Sequence, residues 1–276
     1  MLNERNNFVY ENHFGRRFVG LENGVYLNHS DILDYSWSYD LTNNRISRFY
    51  RSTTKRKLPL VVIGKTEAEA TAALNRLLEV VEADIQNMLP GKIYVGEYYL
   101  SGFVTASKKS QYLFSKRYCN LDLEFTTESS FWYRENKYSL TPGSATIISG
   151  MDYPYDYPFD YSSSKAGQTV ICDSVQSNAF KLHIFGTAEN PTVTIGGHDY
   201  SIDGTISAGE SLLIDSLTKT ITLTKADGTK ENWFDKRNRD SYIFQEIPPG
   251  QNTVVWNDYF GFDLTIIEKR SEPKWI

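Results

Sequence analysis

Cysteine is scarce in this chain, with only Cys119 and Cys172 among 276 residues. They lie far apart and have no metal-ligand spacing, which excludes a disulfide framework and a closely spaced zinc cluster. Cys119 alternates with apolar residues and is expected to be a buried thiol, and the chain is expected to fold in a reducing compartment. Histidine is nearly as rare. His13, His29, His183 and His198 show no metal-like spacing to Cys, Asp or Glu, so structural or surface roles are expected. No run approaches the ~20 apolar residues of a membrane span. The opening residues Asn3, Glu4, Arg5 and Asn6 carry no apolar core segment, so no signal peptide is expected. The phosphate-loop, dinucleotide, HExxH and GxSxG patterns are all missing. Asp152, Asp156 and Asp160 could in principle supply a glycosidase pair, but their Tyr-Pro-rich setting offers nothing to hold two carboxylates at a fixed separation. The expectation is a non-enzyme with no cofactor and no metal.

What is present is tyrosine and strand-like patterning. Aromatic residues make up 14% and include 19 Tyr, a side chain that suits sheets and wet interfaces. The net charge of −5 is divided unevenly: 18 basic and 16 acidic residues precede position 141, against 11 and 18 after it. Neither half is basic enough for nucleic-acid binding as its main task. The two halves nonetheless present different surfaces.

The first half is expected to be strands around one long helix. Val25, Tyr26 and Leu27 follow an Asn23-Gly24 turn signal, and Tyr35, Trp37 and Tyr39 alternate with serines as on a sheet with one buried face. Arg45, Arg48, Arg51, Lys55, Arg56 and Lys57 read either as a solvated loop or as a charged interface with another subunit. Thr66 and Glu69 form a capping box, and Ala70, Leu74, Leu77, Val81, Ile85 and Met88 recur as one apolar stripe. This predicts a helix over 67–89, stopped by Pro90-Gly91. Strands resume over 93–103 and 119–125, and Phe131-Trp132-Tyr133 closes the half.

Composition changes at 139–168, where Tyr153, Tyr155, Tyr157 and Tyr161 alternate with Asp and Pro. Proline removes a donor and forbids an interior strand, so this reads as an extended linker. From 169 to 276 the pattern is all-strand, with a hairpin at Gly196-Gly197, a turn at Asp227-Gly228 and strands near 212–214, 221–223, 244–247, 253–256 and 262–267. The boundaries are therefore 1–138 for an α+β domain, 139–168 for the linker and 169–276 for a β-sandwich. Trp233, Trp256, Tyr259 and Trp275 are either core or subunit contacts, or else platforms on which a sugar face could stack.

Four segments together carry a resemblance. They are the Tyr153–Tyr161 run after Phe131-Trp132-Tyr133, the stretch from Ala208-Gly209-Glu210 to Asp215-Ser216, the Asp227-Gly228 turn, and the closing Trp256, Phe262-Asp263-Leu264-Thr265 and Arg270 to Trp275. In this order they are similar to distal tail proteins of long-tailed phages of Gram-positive hosts. The resemblance implies an N-terminal domain in a homo-hexameric ring around a DNA-conducting channel, and a galectin-like C-terminal sandwich that docks other proteins. It implies as partners the tail tube, the tail-tip protein and receptor-binding or baseplate proteins, with location at the virion tail tip and assembly in the host cytoplasm. Tyr153, Tyr155, Tyr157, Tyr161, Trp233, Trp256 and Trp275 are the candidate interaction surface. The alternative is a module that binds host cell-wall polysaccharide.

Overall fold

A computed structural model describes residues 8–28, 30–110, 117–143, 146–147 and 166–274. The chain is mainly β with, among the described residues, one α-helix. It divides into two compact units, Met1–Arg134 with Lys269–Ile276, and Glu135–Glu268. Part of the 139–168 segment lies outside the described residues. The rest corrects the expected boundaries. The second unit begins at Glu135, and Leu140 is fully buried in its core, so this stretch supplies core as well as connection. The last residues of the chain belong to the first unit, not to the sandwich.

The first unit contains β1 (Val9–Glu11), β2 (Arg17–Val19), β3 (Val25–Leu27), β4 (Ser38–Thr42), β5 (Arg45–Tyr50), β6 (Thr54–Ile63), α1 (Glu67–Asn87), β7 (Gly91–Val95), β8 (Tyr98–Ser110), β9 (Tyr118–Thr127) and the start of β10 (Trp132–Leu140). Long β8 serves two ladders. Its first residues pair with β7, which continues through β1 to β2; its later residues pair with β9, which continues through β6 to β3. A register shift between Val104 and Ala106 accompanies the change of ladder. The run expected over 93–103 is therefore two strands, turned at Gly96 in the left-handed region (φ 59°).

Alternation decides which face goes inward. Leu58, Leu60 and Val62 on β6, and Cys119, Leu121, Leu123 and Phe125 on β9, are buried in one core. Helix α1 covers that core with Ala70, Ala73, Leu74, Leu77, Val80 and Val81. Its start is the expected cap: Thr66 Oγ1 accepts from Glu69 N at 3.2 Å, and the Glu69 carboxylate accepts from Lys65 N at 2.9 Å. The stripe ends earlier than expected. Ile85 and Met88 are 45% and 83% exposed, and the last buried helix residue is Asp84.

The second unit contains the rest of β10, then β11 (Thr146–Ile147), β12 (Ala166–Cys172), β13 (Ala179–Phe185), β14 (Ala188–Glu189), β15 (Thr192–Ile195), β16 (His198–Ser201), β17 (Thr205–Ile206), β18 (Ser211–Asp215), β19 (Thr220–Thr224), β20 (Lys230–Asn232), β21 (Gly250–Trp256) and β22 (Gly261–Arg270), which leads back to the first unit. One sheet runs β22-β13-β18-β19-β20 and the other β11-β12-β21-β15-β16. Both contribute to a single core: Phe180, Leu182, Ile214 and Leu264 from one, Val170, Val193, Tyr200 and Val254 from the other. This is a β-sandwich. The β15–β16 hairpin turns at Gly196 and Gly197, φ 58° and 84°, the paired positive φ values that a two-residue turn of this hand demands. The strand expected at 244–247 is instead a turn followed by a single bridge from Asn178 to Ile247.

Each core holds a tyrosine with a buried hydroxyl. Tyr10 donates to Asp84 Oδ2 at 2.5 Å, and burial, then that hydrogen bond and the carboxylate charge, push its phenol well above its ordinary range. Tyr200 donates to the Gln245 carbonyl at 2.7 Å, and its phenol is raised mainly by burial. Both folded values lie above the unfolded value of 10.0, so the stability each contributes is complete below that pH and is lost as pH rises beyond it. Denaturant midpoints are therefore expected to fall as pH is taken above 10, with a flatter decline in a Tyr10→Phe, Tyr200→Phe double variant. Parallel profiles for wild type and variant would reject this source of alkaline sensitivity.

Candidate assembly surface

Two of the expected surface residues are core. Trp256 is 3% exposed and meets Phe262 edge-on at 5.3 Å. Trp233 is 8% exposed and packs on Gly204, where a Cβ would stand 2.9 Å from the indole. Neither presents a face to a sugar. Trp256 ends β21 with its ring turned inward, and Trp233 folds inward just after β20. Tyr153, Tyr155, Tyr157, Tyr161 and Trp275 lie outside the described residues. Tyr259, 82% exposed, is the one second-half aromatic named from sequence that the structure places at the surface.

The largest group of exposed apolar side chains is on an element that sequence reading missed as such. Strands β4 and β5 pair only with each other, forming a two-stranded arm in which every residue is exposed. Tyr39 opposes Phe49 and Leu41 opposes Ile46, with a bulge between Asp40 and Leu41. These four side chains share one face, exposed by 54%, 57%, 62% and 52%. Asp40 and Arg48 oppose each other on the other face. Of Tyr35, Trp37 and Tyr39, expected on a strand with one buried face, only Tyr39 lies in β4, and all three are exposed. Period-2 patterning reports which residues share a face; it does not say what covers that face. Arg45 and Arg48, expected in a loop or a charged interface, lie on β5 of this arm.

The root of the arm is fixed within the first unit. The Arg51 guanidinium stands 4.8 Å from the Phe131 ring, 5.5 Å from Tyr35 and 5.6 Å from Trp37. Trp37 also meets Phe131 edge-on at 5.6 Å. A rigid root and an uncovered apolar face suit an element that docks into something else. An isolated hairpin is marginal in water, and contiguous exposed apolar surface marks interaction sites.

At the far end of α1, Asp84 is fully buried and accepts from Tyr10 Oη, from His13 N at 2.9 Å, and lies 2.5 Å from His13 Nδ1. This pairs a histidine with a carboxylate 71 positions away, beyond the reach of spacing rules. It ties the N-terminal strand to the helix end. Among the described residues no group of three or more His, Cys, Asp or Glu could hold a metal, and no helix is long and apolar enough to cross a membrane.

No family model and no curated protein sequence matches the chain. Solved structures do match, in fold: the chain shares the mainly β fold of phage tail-hub and baseplate proteins. It is similar to the SPP1 Dit protein, described as a paradigm of the hub adsorption apparatus in Gram-positive-infecting phages, with a TM-score of 0.57 and 10% identity over 95% of this chain and 99% of that one. It is also similar to a chain of the phage P2 baseplate in its activated, calcium-bound conformation, with a TM-score of 0.62 and 11% identity over 97% of this chain and 99% of that one. A strontium-bound P2 baseplate gives 0.61 and 12%.

Proposed function

We propose that this chain is a structural, non-enzymatic virion protein of the distal end of a long phage tail, where six copies form a hub. In this reading the first unit builds the ring around a channel that DNA crosses. The ring joins the tail tube to the tail-tip protein, and the sandwich serves as a galectin-like docking platform for receptor-binding or baseplate proteins. The supporting observation is the match in fold over nearly the full length of both chains, SPP1 Dit and the P2 baseplate protein. The uncovered arm supports it independently, because cyclic assemblies need unlike faces that fit each other. Of the residues named for the carbohydrate-binding alternative, Trp233 and Trp256 are core, Tyr259 is exposed and Trp275 lies outside the described residues.

Light scattering and negative-stain imaging of the purified full chain test the proposal. The expected result is a closed particle of six copies with sixfold views. A strictly monomeric mass at tens of micromolar would overturn it.

A further inference from the structure

The reading above leaves open which residues join one copy to the next, and the first unit carries two unlike exposed patches that complement each other. One is the apolar face of the β4–β5 arm. Trp37 and Phe49 meet edge-on at 6.4 Å and line an apolar hollow of about 280 Å³. Arg45 and Arg48, both exposed, lie on the opposite face of the arm. The other is the C-terminal end of α1, where Ile85, Met88 and Leu89 are 45%, 83% and 51% exposed.

Met88 has a second peculiarity. It caps α1 in the left-handed conformation, φ 53° and ψ 33°, and its N–H donates to the carbonyls of Asp84 and Ile85. Glycine or asparagine usually holds such a cap, because a Cβ there is strained. Here the strained position carries a long apolar side chain that finds almost no cover in its own chain. An unbranched thioether is adaptable and packs well against aromatic rings.

We propose that Met88 of one copy seats in the Trp37–Phe49 hollow of the next, with Leu89 and Ile85 covering Leu41 and Ile46. This rests on the ring reading and assigns its contact. The interface is heterologous, arm to helix end, which is the arrangement that generates a ring rather than a two-fold dimer. The five half-exposed side chains Trp37, Tyr39, Leu41, Ile46 and Phe49 bury on the order of 100 Å² each when covered, so the arm face contributes roughly 500 Å² per partner. That approaches the ~800 Å² of a standard interface before any rim contact is added.

The test is cross-linking of the full chain with a short bifunctional maleimide. Native Cys119 and Cys172 are buried and should not react. A Phe49→Cys, Met88→Cys double variant is expected to give a ladder of covalent oligomers ending at the ring number, while Phe49→Cys and Met88→Cys alone stay single. Both positions are exposed, so folding should be unchanged by circular dichroism. A wild-type ring that yields no ladder overturns the pairing and leaves the ring reading standing. Cross-linked dimers from Phe49→Cys alone would overturn it in favour of an arm-to-arm contact. A monomeric wild type overturns both.

Discussion

Leu77→Asp is expected to leave no folded first unit. Leu77 is fully buried, on the face of α1 turned to the core shared by β6 and β9. The substitution removes an apolar side chain and puts a carboxylate where no partner waits. Burying an ionised group without compensation costs more than about 5 kcal/mol, a large share of the ~5–15 kcal/mol by which a typical domain is stable. The chain should lose cooperative melting of that unit and aggregate on expression. Ile85→Asp is the control. Ile85 sits two turns later in the same sequence stripe but is 45% exposed, so at concentrations where the chain is monomeric that change should shift stability by no more than about 0.5 kcal/mol. Equal effects at the two positions, whether both severe or both mild, would mean that the helix does not face the core as described.

Asp84→Ala should be almost as damaging, for a different reason. The carboxylate is fully buried and holds Tyr10 Oη, His13 N and His13 Nδ1 together. Alanine leaves those groups without an acceptor and opens a space beside Gly91, whose missing side chain lets Tyr10 and Asp84 approach. Breaking such a cluster from one side costs about 3–5 kcal/mol, which lowers a domain's melting temperature by roughly 10 °C or more. Asp84→Asn keeps one acceptor oxygen and should lose distinctly less. Calorimetry distinguishes these outcomes. An Asp84→Ala melt within about 1 kcal/mol of wild type would show that the cluster does not tie the N-terminal strand to the helix.

Local chemistry determined a good part of this molecule. The helix start was legible because Thr66 and Glu69 act within one turn of each other. The Gly196-Gly197 hairpin was legible because few residues accept two successive positive φ values. Strand alternation on β9 followed from a period that every half-buried strand must obey. Tertiary structure alone decided what each face meets. The alternation through Trp37 and Tyr39 looks like a buried sheet face, yet no second layer among the described residues covers the arm. Ile85 and Met88 continue the helical stripe, yet the core ends at Asp84. Trp233 and Trp256 looked available for a sugar, yet the sandwich closes over both. Asp84 and His13 looked unremarkable because the partners that define them lie 71 positions apart. Periodicity ranks the residues of one element among themselves; only packing between elements sets which of them lose water, and so which remain free for another copy.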